Sequence, residues 1–238
     1  MKLVRHIPNF LTCCNLLCGC IGILADKPTE MSYWIFAGMI FDFSDGLAAR
    51  LLKASSESGK QLDSLADLVT FGVLPGMIFF QILTDIQYLE VIYDESQGSN
   101  FAYLAYTALL IPVFSALRLA KFNLDNRQSN HFKGLPTPAS ALLVASFPWI
   151  LETNYLSTGD FLHQNSWILV FFIFLIAYLL VSDISLFSLK FKNSTTAKSR
   201  IVITFLGISL SLFVILHFLA VPLIMSLYFI FSYFYFKK

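Results

Sequence analysis

Apolar residues run along this chain in long blocks, broken by short polar stretches. A helix that crosses a bilayer needs roughly 17–25 mostly apolar residues. Read with that window, the sequence predicts spans at 8–25, 31–50, 61–84, 101–121, 136–152, 165–183, 200–217 and 219–236. The fifth is short and flanked by Pro136, Pro138 and Pro148, and the last two are separated only by a turn around His217 and Pro222. The first follows Lys2 and Arg5 without a small-residue cleavage site before the next span, so it is read as a retained helix. No strand pattern competes with these blocks. The expected fold is an all-α integral membrane bundle of about eight transmembrane helices.

Composition agrees. Of 238 residues, 57% are hydrophobic and 13% charged, against about 25% charged in soluble domains. That balance excludes a disordered chain, and a soluble core of this length would not hide so much hydrocarbon. The formal charge of +1 provides no basic face for nucleic acid.

Charge then sets orientation. With eight spans both termini share a side, and that side collects Lys2, Arg5, Arg50, Lys53, Lys60, Arg118, Lys121, Arg127, Lys133, Lys190, Lys192, Lys198, Arg200, Lys237 and Lys238, leaving only Lys27 opposite. Asp26, Glu30, Asp85, Glu90, Asp94, Glu95, Glu152 and Asp160 fall on the other side. The positive-inside bias therefore places both termini in the cytoplasm. Cys13, Cys14, Cys18 and Cys20 all lie in the first span. Neighbours such as Cys13 and Cys14 point to different faces, so packing is expected of them rather than metal ligation, and no disulfide framework is implied.

The anomaly is a set of acids within the spans. Asp42 and Asp45 sit in an apolar run, followed by Gly46, Ala49 and Arg50; after the polar segment 51–58 come Gly59, Asp63 and Asp67. An aspartate at the centre of a membrane helix costs roughly 2.5–3.5 kcal/mol, less near its end, so four unpaired ones would cost up to roughly 10 kcal/mol. One Arg does not neutralise four Asp. Spacings of three and four residues put each pair on one helix face, about 4.5 and 6 Å apart along the axis. Two helices joined by a short loop run antiparallel, which gathers the acids near the cytoplasmic boundary. All-oxygen ligands suit Mg²⁺ or Mn²⁺, and a cluster this rich has room for two ions in the arrangement that clamps phosphate displacements. A second reading makes these acids helix caps or interhelical hydrogen-bonding groups. A third, from another class, makes them the binding site of a cation transporter, although internal repeats and acids at the midplane of broken helices are not evident.

At these positions the chain resembles the CDP-alcohol phosphotransferase family, whose pattern is D-x-x-D-G-x-x-A-R-x(7–8)-G-x-x-x-D-x-x-x-D. All eight fixed positions are matched, by Asp42, Asp45, Gly46, Ala49, Arg50, Gly59, Asp63 and Asp67. The resemblance implies that Asp42, Asp45 and Asp63 ligate metal, with Asp67 near a second ion and acting as the general base. It implies that Asp45, Gly46, Ala49, Arg50 and Gly59 hold the CDP moiety.

Further stretches resemble the serine-accepting branch of that family: Pro8-Asn9-Phe10-Leu11-Thr12 with Asn15 and Gly19, Arg118 to Asn123, and Gly134 to Ala139. Lys121 stands where that branch usually has Arg. The resemblance covers roughly residues 5–185 of one membrane domain, 1–238, and leaves a helix pair at about 199–236 unconstrained. It implies CDP-diacylglycerol and L-serine as substrates, phosphatidylserine and CMP as products, a homodimer, and a bacterial-type inner membrane with the site facing the cytoplasm. Asn9, Thr12 and Asn15 share roughly one face of the first helix and either line the nucleotide site or join helices. Arg118, with Asn123 beyond it, is either a clamp for the serine carboxylate or a plain instance of the charge bias. Glycerol 3-phosphate, inositol phosphate or choline remain alternative acceptors at this stage.

Overall fold

The computed structural model describes residues 6–93, 103–124, 132–153, 157–187 and 196–237. Lys2, Arg5, Arg127, Lys190, Lys192, Lys238, Asp94 and Glu95, all used in the charge argument, lie outside the described residues.

Each of the eight apolar segments falls largely on helix. α1 (Ile7–Ile23) and α2 (Pro28–Leu51) both start with proline in the first turn, where the missing N–H costs nothing. Glu30 in the first turn of α2 and Arg50 in its last suit the helix dipole. α3 (Glu57–Leu68) begins at Ser56, whose Oγ accepts from the Gly59 N–H at 3.0 Å, a side-chain N-cap. It continues through a π-helical turn, Val69–Val73, into α4 (Leu74–Tyr93). A 3₁₀ segment (Leu104–Leu109) leads into α5 (Leu110–Leu124). There follow α6 (Thr137–Thr153), α7 (Thr158–Gln164), α8 (Trp167–Val181), α9 (Thr196–Leu216) and, after a 3₁₀ turn at His217–Leu219, α10 (Ala220–Lys237).

Among the described helices, Glu57–Ile86, Leu104–Leu124 and Ser199–Phe236 are long and apolar enough to cross a membrane, and Ile7–Ile23 and Trp167–Val181 are shorter apolar helices. Large apolar side chains such as Phe10 (68% exposed), Ile40 (67%) and Leu210 (68%) point outward, as suits a helical protein bathed in lipid.

Three features depart from the hydropathy reading. Pro148 does not flank the fifth segment but lies inside α6, buried. A seven-residue helix, α7, occupies the polar link to the sixth. Two short strands, β1 (Phe132–Lys133) and β2 (Ser185–Leu186), pair antiparallel, with Phe132 opposite Leu186. Two residues are too few to leave a periodic signature.

The core gathers Ile35, Phe71, Ile78, Phe79, Ile111 and Phe147, with the Phe79 and Phe147 rings 5.1 Å apart. α1 packs against both α2 and α3, so it lies between the two acid-bearing helices. Helix contacts there depend on small residues. A Cβ added to Gly38 would collide with Thr70 Cγ2 and lie 3.0 Å from Asn15 Oδ1, and one on Gly19 would be 2.9 Å from the Thr70 Cα. Close approach of backbones is how helices pack where lipid is as apolar as leucine. A smaller cluster of Phe187, Val202 and Phe205 holds α9 and α10 together.

Candidate active site

The antiparallel path of α2 and α3 brings carboxylate oxygens of Asp42, Asp63 and Asp67 within 4.8 Å of one another. Like charges this close repel strongly in a low-dielectric setting. A cation is the simplest relief.

Asp45 adjoins that triad, three residues along α2 from Asp42. It is buried, and Thr12 Oγ1 lies 2.6 Å from its Oδ2. The same hydroxyl is 3.0 Å from the Pro8 carbonyl; having one proton, it donates to the nearer, charged oxygen. Three residues on, Asn15 donates through Nδ2 to Asp67 Oδ1 at 3.3 Å, and its backbone carbonyl accepts from Thr70 Oγ1 at 2.9 Å. Thr70 lies in the π turn directly after Asp67. Such turns inside α-helices mark functional positions often, and here the turn locks α3 to α1 beside the acids.

Among the described residues, two buried oxygens at the cluster have no hydrogen-bond partner, Asp63 Oδ1 and Asn15 Oδ1. Unpartnered buried acceptors are costly, and a hard divalent ion satisfies such oxygens directly. The donor set thus fits a divalent metal. It contains no nitrogen or sulfur ligand.

Beside the triad opens a cleft of about 510 Å³, lined by Asn9, Thr12, Asp45, Gly46, Ala49, Gly59 and Asp63 together with Pro8, 54–57 and Lys60. A Cβ on Gly46 would meet nothing nearer than Arg50 Nη2 at 3.9 Å, so that wall is open to a ligand. Gly59 is small for a different reason: a Cβ there would sit 2.9 Å from both Asn9 Oδ1 and Ser56 Oγ. Arg50 donates from Nε to the Gly46 carbonyl at 2.8 Å and is exposed; it is not part of the cleft lining.

Past the triad, Arg118 on α5 is 9% exposed and within electrostatic reach of Asp67. Its Nη1 donates to Thr137 Oγ1 at 3.1 Å, while Nε is buried with no partner among the described residues. Asn123 donates from Nδ2 to Ser64 Oγ at 2.9 Å, and its Oδ1 is likewise buried with no partner among the described residues. Lys121 pairs with Asp183 at 2.9 Å, both exposed. The four cysteines are free and play no part in the acid cluster.

The structure therefore gathers Asn9, Thr12, Asp45, Gly46, Ala49, Gly59 and Asp63 around one cleft, the acid triad beside it, and Arg118 within reach of Asp67. Sequence reasoning gave no individual role to Ser56, Lys60, Ser64, Thr70 or Thr137, although Thr137 lies in the stretch 134–139 that it singled out. Ser56 was open to discovery, three residues before Gly59 at the foot of a helix. The contacts of Ser64, Thr70 and Thr137 cross between helices and leave no local signal.

Known proteins point the same way. The model of the CDP-alcohol phosphatidyltransferase family matches residues 5–181. Relatives include the CDP-diacylglycerol–serine O-phosphatidyltransferase of Bacillus subtilis, 34% identical over 152 residues, covering 61% of this chain and 78% of that one. The protein of that name from Helicobacter pylori is 33% identical over 185 residues, 74% of this chain and 70% of the other. That of Methanocaldococcus jannaschii is 30% identical over 158 residues, 66% of this chain and 68% of the other. With the matched region holding the whole acid motif and most of the helical core, the chain belongs to the CDP-alcohol phosphatidyltransferase family.

Proposed function

We propose that this enzyme transfers the phosphatidyl group of CDP-diacylglycerol to the hydroxyl of L-serine, forming phosphatidylserine and releasing CMP. The observation that carries the reading is the acid triad of Asp42, Asp63 and Asp67 beside an open cleft, in a chain whose relatives bear the name of that reaction.

Asp42, Asp45, Asp63 and Asp67 would hold two divalent ions, Mg²⁺ or Mn²⁺, which would supply charge neutralisation for the diphosphate and the departing CMP. Asp45, Gly46, Ala49, Arg50 and Gly59 bind the nucleotide end of the donor, with Asn9, Thr12 and Asn15 along α1. Thr12 keeps the Asp45 carboxylate in one orientation, and Asn15 does the same for Asp67. Asp67 takes the proton of the serine hydroxyl as that oxygen attacks phosphorus and the bond to CMP breaks. Arg118 and Asn123 receive the rest of serine. An unpartnered guanidinium N–H suits the carboxylate, and an unpartnered amide oxygen suits the ammonium.

The chain forms one catalytic membrane domain, 1–238, with a core at about 5–185 and an added helix pair at about 199–236. Eight helices cross the inner cell membrane, both termini are cytoplasmic, and the metal site sits at the cytoplasmic ends of the second and third. The donor's acyl chains enter sideways from the inner leaflet. Two copies associate through their apolar faces as a homodimer.

The test is CMP release by purified protein supplied with CDP-diacylglycerol and Mg²⁺ or Mn²⁺, across a panel of alcohols. Release that requires L-serine is expected. Release with glycerol 3-phosphate, inositol phosphate or choline alone would retain the metal and nucleotide roles and discard serine.

A further inference from the structure

We propose that Thr137 is a positioning residue for acceptor recognition: its hydroxyl holds the Arg118 guanidinium in place and leaves Nε available to the acceptor's carboxylate. The inference rests on the reading of Arg118 as the carboxylate clamp.

Arginine has a long side chain with many rotamers, so an unheld guanidinium would lose that freedom on meeting its ligand. A side chain fixed beforehand does not. Among the described residues, the Arg118 guanidinium makes one hydrogen bond, from Nη1 to Thr137 Oγ1, 3.1 Å long and buried. The Phe122 ring, 5.9 Å from Cζ, adds a cation–π contact but no direction.

Thr137 is well placed to hold something else still, because it is held still itself. It is 1% exposed, and its carbonyl accepts from Ser140 Oγ at 2.9 Å. The chain leading to it is fastened to the end of α8. Gly134 N–H donates to the Ile184 carbonyl and Leu135 N–H to that of Leu179, each at 2.9 Å, next to the β1–β2 pairing. Gly134 adopts φ of +72°, and a Cβ there would lie 2.8 Å from the carbonyls of Leu180 and Ser182, so glycine alone fits that close crossing. The Lys121–Asp183 pair joins α5 to the same end of α8, though an exposed pair adds little. The ends of α5, α6 and α8 thus form one fastened corner, with Thr137 on the α6 side and Arg118 on the α5 side.

Steady-state kinetics of the full-length enzyme in detergent, with each substrate varied in turn, tests this. Thr137→Val keeps the volume and removes the acceptor oxygen. We expect its KM for L-serine to rise about tenfold while kcat and the KM for CDP-diacylglycerol stay within about twofold. Thr137→Ala, which avoids placing a new methyl against the guanidinium, should behave alike and serves if the valine variant does not fold. Thr137→Ser, which restores the hydroxyl, should return the serine KM to within about threefold of the original. Arg118→Lys is measured in parallel and should raise the serine KM by at least as much as Thr137→Val. If Arg118→Lys raises it and neither hydroxyl-free variant does, Thr137 has no positioning role and the clamp stands. An unchanged serine KM in Arg118→Lys removes the clamp and this inference with it. A fall in kcat or a rise in both KM values that Thr137→Ser does not rescue identifies mere packing.

Discussion

Asp67, proposed above as the general base, has Asp42 and Asp63 beside it, the Asn15 amide at 3.3 Å and Arg118 within electrostatic reach. Asp67→Asn keeps the shape and removes the base, so we predict a loss in kcat of about 10²–10⁴-fold with donor binding retained. Single-turnover CMP release alongside equilibrium binding of CDP-diacylglycerol separates the two, and turnover near the original rate would end the assignment. Thr12 bears on the other carboxylate. Thr12→Val removes the short hydrogen bond to Asp45, and the KM for CDP-diacylglycerol should rise by about three- to tenfold with that for serine little changed. Chelation of divalent ions should abolish turnover, and Mg²⁺ or Mn²⁺ should restore it. Activity that survives exhaustive chelation would refute the metal role.

At the level of elements, the site depends on how closely α1, α2 and the α3–α4 rod approach. Gly19 and Gly38 both lie against Thr70, which in turn bonds the Asn15 carbonyl. Gly38→Ala should force the π turn away from α2 and cost about 1–3 kcal/mol, seen as a lower melting temperature in detergent together with weaker activity. Gly207→Ala on α9 is the matching control, since a Cβ there meets nothing within 4 Å. It should leave stability equal or higher, alanine being the better helix former. A Gly38→Ala enzyme as stable as Gly207→Ala would mean that the three helices are not held by backbone proximity.

Across the whole molecule, the α9–α10 pair is attached at two places. Phe187 packs among Phe205, Tyr228 and Tyr235 and accepts the Tyr228 hydroxyl at its carbonyl, 2.6 Å away. Phe218 stacks on Trp149 of α6 with centroids 5.1 Å apart. Yet no residue of the triad or of the cleft lining lies beyond Asp67, and Arg118, Asn123 and Thr137 all precede the pair. A chain ending at Phe187 should therefore melt at a lower temperature, because Phe187 loses its ring partners and Trp149, which keeps Tyr33, loses Phe218. Its KM values should remain within about threefold of the full chain's, since the binding residues are untouched. Failure of the truncated enzyme to bind either substrate while still folded would place the pair inside the catalytic unit.

Much of this was legible in one dimension. Blocks of apolar residues are read locally, because a lipid-facing helix must be apolar along its whole length, and they located every long helix. The acid motif was equally open: spacings of three and four residues fix a helix face whatever surrounds it, so the pairing of Asp42 with Asp45 and of Asp63 with Asp67 needed no coordinates. The tertiary structure decided which acids meet. It drew Asp42, Asp63 and Asp67 into the tightest group and turned one oxygen of Asp45 toward Thr12, a choice that depends on α1 lying between α2 and α3. It likewise decided the partners of Arg118 and Asn123, where the contacts to Thr137 and Ser64 span 19 and 59 positions. Faces are set by the helical repeat, which the sequence carries. Partners across helices are set by packing of the whole bundle, which no local stretch encodes.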